Sequence, residues 1–336
     1  MQNKQIRLAA RPEGLPKATD WQTIVEETPP LSTGDVLVKI TTLSLDPAMR
    51  GWMNVGKSYI RPVEIGEVMR AGGVGKVVAS ENPNFAVGDA VTGTLNVQEY
   101  FFSAGGKGLI KIDTKLAPAN KWLNVLGMTG MTAYFGLLDV GEPKAGDVVV
   151  VSGGAGAVGS LVGQIAKLKG CTVIGIAGGA DKVDFMKNEL GFDDAIDYRL
   201  GNLRTALRRS CPDGIDVYFD NVGGDTLDLC LSMLRKKARI VICGAISQYN
   251  STTGPVGPKN YLSLLVNRAK MEGFVVFDYA DRYQMAAAEM AGWMKAGKLK
   301  SKEFVVEGGV DKFAETLLLL FEGDKIGKLL LKVAKD

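Results

Sequence analysis

The chain has 336 residues, 46% of them hydrophobic and 23% charged, with a formal net charge of +3. That balance describes an ordinary globular protein, long enough for two domains and too weakly charged to argue for a nucleic-acid partner. It contains no histidine, which excludes Ser-His-Asp and Cys-His nucleophile systems and takes away the usual donors of a catalytic zinc, so no metal is expected.

Residues 1–124 read as mostly β. Asp35–Thr41, Gly75–Val78 and Ala90–Leu95 are apolar or alternating runs set between the turn signals Gly72-Gly73, Asn82-Pro83-Asn84 and Val87-Gly88-Asp89. They predict a compact, partly open β-barrel. From Val125 the pattern changes, and Met128–Gly136 reads as a helix entering a second region. Strands are expected near 147–152, 172–177, 194–197, 215–219, 238–243 and 271–277, with helices near 157–169, 182–190, 202–210 and 225–234. Six strands with crossover helices predict an α/β domain built on a doubly wound parallel sheet of order 3-2-1-4-5-6. A polar Gly/Pro-rich loop, Ser247–Pro258, leaves the fifth strand at the carboxyl edge of that sheet, where ligands bind. A helix follows near 282–296. The tail, a helix and then a strand at Gly327–Val333, has no place in a completed six-stranded sheet and is expected to return to the first domain. The expected domains are therefore 1–124 with 303–336, and 125–302.

The second region is organised around Val148–Gly159, read VVVVSGGAGAVG. A β-branched run predicts a strand buried on both faces. Val158, Leu161, Val162 and Ile165 then recur at helical spacing until Gly170. Between them Gly154, Gly156 and Gly159 fit G-x-G-x-x-G in its strand–turn–helix context, the fingerprint of dinucleotide binding. Gly154 is expected to allow the tight turn, Gly156 to admit a pyrophosphate, and Gly159 to let helix and strand pack closely. The bland reading is a glycine turn with no nucleotide. NAD-specific folds carry an acid at the end of the second strand. Here that strand runs into Gly178-Gly179-Ala180, and the first acid, Asp181, is followed at once by Lys182. This favours NADPH over NADH, Lys182 supplying a cation for the 2′-phosphate; otherwise Lys182 simply begins a solvated helix.

Four cysteines (Cys171, Cys211, Cys230, Cys243) are scattered without a CxxC and read as reduced, buried thiols of a cytoplasmic protein. The start of the chain shows no secretory core, and no apolar run approaches the ~18 residues of a membrane span. The basic clusters Arg204/Arg208/Arg209 and Arg235/Lys236/Lys237/Arg239 read as solvated faces.

The motifs GMTGMTAYFGL, GAGAVGSLVGQIAKLKGC, DVYFDNVGG and ICGAISQYN, with SLDPAMRG at 44–51 and GDKIGKLLLKV in the tail, resemble the zinc-free medium-chain reductases. The branch is that of the leukotriene/prostaglandin reductases, plant alkenal double-bond reductases and bacterial curcumin reductases. The resemblance runs nearly end to end. It implies a GroES-like β-barrel domain beside a Rossmann domain, an active site in the cleft between them, and usually a homodimer. The implied reaction reduces the C=C bond of α,β-unsaturated aldehydes and ketones with NADPH. It also implies roles. Gly156, Ala157, Val158 and Gly159 match the pyrophosphate turn, Lys182 and Tyr198 the 2′-phosphate contacts, and Asn221 a residue near ribose and nicotinamide. Cys243, Gly244, Ala245, Ile246 and Ser247, with Phe274, Val275 and Val276, match the nicotinamide pocket. Tyr249 matches the tyrosine beside the substrate carbonyl.

Three positions depart from the branch. Ala48 stands where a tyrosine is usual and is expected to open the substrate pocket. Thr129 replaces a proline, and Lys325 an asparagine that contacts the cofactor. Tyr59 is a further substrate-side candidate, with a surface-loop aromatic as its bland reading. For Tyr249 the functional reading is a hydrogen-bond donor to the enolate oxygen, since a phenol of ordinary pKa about 10 stays protonated at neutral pH; the bland reading is a loop aromatic covering the cofactor. Asn221 has an Asx-turn alternative, and the bland reading of Tyr198 is the polar-tipped end of a strand. At the level of function, the alternatives are a quinone reductase on the same fold and a nucleotide-binding protein without significant turnover.

Overall fold

The computed structural model describes residues 1–334 and divides the chain into two compact units, Met1–Asn124 with the residues from Glu303 onward, and Val125–Lys302. In the first unit, β1 (Gln2–Leu8) and β2 (Trp21–Glu27) form an antiparallel pair. The main sheet takes β3 (Val36–Ser44), β4 (Gly72–Ser80), β5 (Ala90–Thr94), β6 (Tyr100–Ser103) and β7 (Ile110–Lys111), and a short helix α1 (Ala48–Trp52) follows β3.

The second unit opens with α2 (Met128–Phe135), which widens into a π-turn at Gly136–Gly141. Then come β8 (Val148–Ser152), α3 (Ala157–Leu168), β9 (Thr172–Ala177), α4 (Ala180–Asp184), β10 (Asp194–Asp197), α5 (Leu203–Ser210), β11 (Ile215–Asp220), α6 (Gly224–Leu231), β12 (Leu234–Ile242), α7 (Leu262–Asn267), β13 (Lys270–Gly273) and α8 (Tyr283–Lys295). The sheet order is β10-β9-β8-β11-β12-β13 and every pairing is parallel. This is the doubly wound order expected from the alternation of strands and helices. Val149, Val150 and Val151 are fully buried; burying such a side chain contributes about 1.5–3 kcal/mol, which explains why a run of valines becomes the central strand.

The chain then returns to the first unit. β14 (Glu303–Glu307) pairs in parallel with β15 (Lys328–Lys332), β15 runs antiparallel to β3, and α9 (Phe313–Glu322) lies between them in sequence. The barrel core gathers Leu8, Ile40, Leu43, Met49, Phe313 and Leu331. Lys328 is 1% exposed; its ammonium donates to the Leu45 carbonyl at 2.9 Å and pairs with Asp46, which ties β15 to the lead-in of α1.

Three expectations need correction. The sixth strand, expected over 271–277, is Lys270–Gly273; Val275 and Val276 continue the apolar run but the chain turns there into a 3₁₀ segment, Val276–Arg282. The helix expected over 182–190 is α4 followed by a π-turn, Phe185–Glu189. Arg239 is not solvated: it donates to the carbonyls of Gly141 and Glu142 and pairs with Asp147, bracing the amino end of β8. Arg235 pairs with Asp216.

Candidate active site

The carboxyl edge of the parallel sheet carries most of the candidate residues, all within the second unit. β8 ends at Ser152 and the chain turns through Gly153, whose φ is +62°. The left-handed residue of the turn is therefore Gly153, not Gly154. Gly154 has a different duty: a Cβ there would lie 2.7 Å from the Met186 sulfur and 3.2 Å from the Gly175 Cα. At Gly159 a Cβ would lie 2.3 Å from the Gly153 carbonyl oxygen, so the first turn of α3 packs directly on the loop. Gly156 is the N-cap of α3 and brings no side-chain cap. The N–H groups of Ala157, Val158 and Gly159 thus stand at an uncapped helix start, the arrangement that receives phosphate oxygens.

β9 ends in Ala177, Gly178 and Gly179, and Lys182 follows in α4. Tyr198 and Arg199 leave β10 beside it. A Cβ at Gly178 would meet Arg199 Nε at 2.8 Å and Tyr198 Cζ at 2.9 Å. Both side chains therefore overlie this turn, and Arg199 joins the two residues expected from sequence. The nearby Asp197 carboxylate accepts from the Arg199 N–H at 2.9 Å. Its pKa is held below the usual carboxylate range, first by the Gly179 backbone N–H. Its charge is thus turned onto backbone donors.

Asp220, at the end of β11, is 1% exposed and was not singled out from sequence. Its Oδ1 accepts from Tyr218 Oη (2.7 Å), Ser152 Oγ (3.0 Å) and the N–H groups of Val222 and Gly223 (3.0 Å each). Asp220, rather than Asn221, is the Asx-type turn residue. Asn221 instead spans β8 and β11: its Nδ2 donates to the Ser152 carbonyl at 2.7 Å and its N–H to Ser152 Oγ at 2.9 Å. Burial, with the Asp220 charge contributing, raises the Tyr218 phenol well above its ordinary pKa, so the proton it gives Asp220 stays in place.

The loop after β12 is laced onto this cluster. Cys243 and Gly244 donate to the Asp220 carbonyl, Ile246 to the Asn221 carbonyl and Ser247 to that of Val222. Tyr249 folds back so that its hydroxyl accepts the Ala245 N–H at 3.1 Å and covers Gly244, where a Cβ would lie 2.8 Å from the phenol oxygen. That bond uses a lone pair of the phenol and not its proton. Burial pushes the Cys243 thiol up to about 12, which leaves it protonated and unsuited to nucleophilic work.

Phe274 packs against its own unit. Its ring packs over Gly136, where a Cβ would lie 2.4 Å from Cζ, and stands edge-on to Phe219 with centroids 6.5 Å apart. It belongs to the packing of α2 against the sheet; Val275 and Val276 follow it half-buried, and the Val276 carbonyl accepts from Tyr283 Oη. The remaining candidates belong to the first unit. Ala48 is the first residue of α1 and half-buried, and Tyr59 is 57% exposed, its hydroxyl accepting from Trp52 Nε1 at 3.4 Å. Lys325 is half-buried just before β15, and Thr129 is buried in the first turn of α2.

A barrel unit joined to a six-stranded dinucleotide-binding sheet, with a glycine turn at its centre, defines an oxidoreductase of the medium-chain type, and comparison with known proteins agrees. The family model described as the N-terminal domain of oxidoreductase matches residues 4–112, and the one described as zinc-binding dehydrogenase matches 157–292. The NADPH-dependent curcumin reductase of Escherichia coli is 40% identical, the alignment covering 99% of this chain and 98% of that protein. The NADP⁺-dependent 2-alkenal reductase of Nicotiana tabacum is also 40% identical, with the same coverage. The crystal structure of CurA from Vibrio vulnificus in complex with NADPH superposes with a TM-score of 0.94 at 44% identity, covering 99% of this chain and 100% of that one. The chain belongs to the medium-chain dehydrogenase/reductase family, in the branch of the curcumin, alkenal and prostaglandin reductases.

Proposed function

We propose that the protein is an NADPH-dependent reductase of the carbon–carbon double bond of α,β-unsaturated ketones and aldehydes, curcumin-like dienones and 2-alkenals among them. The observation that carries the cofactor reading is the end of β9. Two glycines stand where a ribose-binding acid would be, Tyr198 and Arg199 overlie them, and Lys182 follows in α4. The residues fit the nucleotide elsewhere too: the uncapped start of α3 suits its pyrophosphate, and Asn221 with the 243–249 loop suits its nicotinamide end. NADPH, when bound, supplies a hydride.

Tyr249 is assigned the hydrogen bond to the substrate's carbonyl oxygen, where negative charge develops as an enolate. Its tether to Ala245 supports this, because it fixes the position of the phenol oxygen beside the loop at the carboxyl edge of the sheet. Asp220 and Asn221 hold the loop that carries Tyr249. No step needs a metal. The chain has no histidine to ligate one. The first unit is assigned the substrate side, with Ala48 widening the pocket and Tyr59 at its margin. The four cysteines are free, which supports a cytoplasmic protein; among the described residues no helix is long and apolar enough to cross a membrane. A homodimer through the β13 edge completes the reading.

The test is NADPH oxidation with a bulky diaryl dienone and with a short 2-alkenal, each repeated with NADH. Turnover with NADPH and not NADH is expected. NADPH binding without oxidation of either substrate would refute the reductase reading.

A further inference from the structure

Four arginines crowd one part of the barrel unit, and three of them carry their own carboxylate. Arg7 pairs with Glu26 at 2.7 Å, Arg11 with Glu64 at 2.8 Å and Arg61 with Glu67 at 2.7 Å. Arg70 pairs with none among the described residues. Its guanidinium lies over the Trp52 ring, 5.6 Å from the centroid. Its Nη1 is shut off from solvent and has no hydrogen-bond partner among the described residues. A guanidinium nitrogen in that state costs free energy that a partner would recover.

The nearest acid is already engaged. Both Glu67 oxygens accept from Arg61 Nη2, at 2.7 and 3.0 Å, and Oε2 also accepts the Glu64 N–H at 2.9 Å. Burial first, and then the charge of Arg61, push the pKa of Arg70 below the ordinary guanidinium value, against Glu67 and Tyr59. The surroundings of Arg70 are thus short of negative charge.

A cavity of about 470 Å³ opens here, lined by Arg7, Arg61, Gly66, Glu67, Arg70 and Asn96 among others. Its walls leave room: a Cβ at Gly66 would meet no atom within 4 Å. Asn96 holds a left-handed backbone, φ +61°, at its rim. A water would not balance the charge of this lining. The volume lies within the range of small-molecule pockets and well beyond a bare ion.

We propose that this cavity binds a compact organic anion, whose carboxylate or phosphoryl oxygens accept from the guanidinium groups of Arg7, Arg61 and Arg70 that line it. The planar guanidinium suits either group, since both present paired oxygens. The site rests on the barrel unit alone and stands or falls independently of the reductase reading.

The test is calorimetric titration of the full-length protein with citrate, glycerol 3-phosphate and inorganic phosphate. NADPH is held in excess, so that the nucleotide's own phosphate contacts are filled. Citrate or glycerol 3-phosphate is expected to bind, more weakly as salt is raised, and which of the two binds tells carboxylate from phosphoryl recognition. Arg70→Met should weaken that binding at least about tenfold, the loss of one charged hydrogen bond, and Arg208→Gln on the exposed face of α5 should not. If Arg70→Met melts early, Arg61→Gln decides, because it removes a lining cation and releases the Glu67 charge into the cavity. No binding by either organic probe, binding by inorganic phosphate alone, or equal binding by wild type and the soluble variant would overturn the proposal.

Discussion

Asp220 does the most at the scale of single residues. One buried carboxylate oxygen collects a phenol, a serine hydroxyl and two backbone N–H groups, and every one of these is a donor that apolar burial would strand. Asp220→Ala should destabilise the protein by about 3 kcal/mol. Asp220→Asn should do little better, because an amide nitrogen turned toward those donors opposes them; thermal melting measures both. At the reacting end, Tyr249→Phe keeps the ring but loses the bond from Ala245 and the donor to substrate. A fall of about 10²-fold in kcat on an enone is expected, with a much smaller change on a quinone, where no enolate needs a partner. Equal loss on both would make Tyr249 a cover for the cofactor only. At the ribose end, Lys182→Ala with Arg199→Ala should raise the KM for NADPH about 10- to 100-fold and leave that for NADH unchanged, as expected for charged hydrogen bonds to a 2′-phosphate.

Among the elements, the strand–turn–helix of β8 and α3 was legible from residue types, because four valines and a 3.6-residue period have few other solutions. What the motif could not say is which glycine bends. The left-handed φ falls on Gly153, and the next glycine is excluded from larger residues by Met186, whose place depends on the π-turn after α4. Asp220 was missed because the sequence sets an acid beside an asparagine and either can make an Asx turn. The packing of Phe274 on Gly136 was not legible because the two stand 138 positions apart in the chain. Arg239 was read by the charge of its neighbours, whereas its partners, Gly141, Glu142 and Asp147, come from segments the fold brings in. Local chemistry predicts periodicity; tertiary approach decides who meets whom. The same contrast separates two substitutions. Gly159→Ala puts a methyl 2.3 Å from the Gly153 oxygen and should cost about 1–3 kcal/mol by overpacking, with weaker NADPH binding. Gly292→Ala, in α8 with no atom within 4 Å of the added Cβ, should stabilise by about 0.5–1 kcal/mol. Paired thermal melts check the opposite signs.

For the whole molecule, the parallel sheet ends on an edge that monomeric proteins seldom leave bare. β13 is the last strand in the order, and all of Lys270–Gly273 is exposed. α7 beside it presents Leu262 (58% exposed), Leu265 (75%) and Val266 (68%) to solvent. An unpaired strand edge flanked by apolar side chains is a site for pairing with another chain. A two-fold axis normal to the sheet would pair β13 with the same strand of a second copy, antiparallel, and would set the two α7 helices against that seam; such a contact is self-complementary and closes at two subunits. Leu265→Asp with Val266→Asp places two charges in the seam without touching the glycine turn, Asp220 or Tyr249. Light scattering after size exclusion should then find a dimer for the wild type and a monomer for the variant, with cofactor binding retained. A monomeric wild type, or a dimer that survives both charges, would mean that this edge is not the interface.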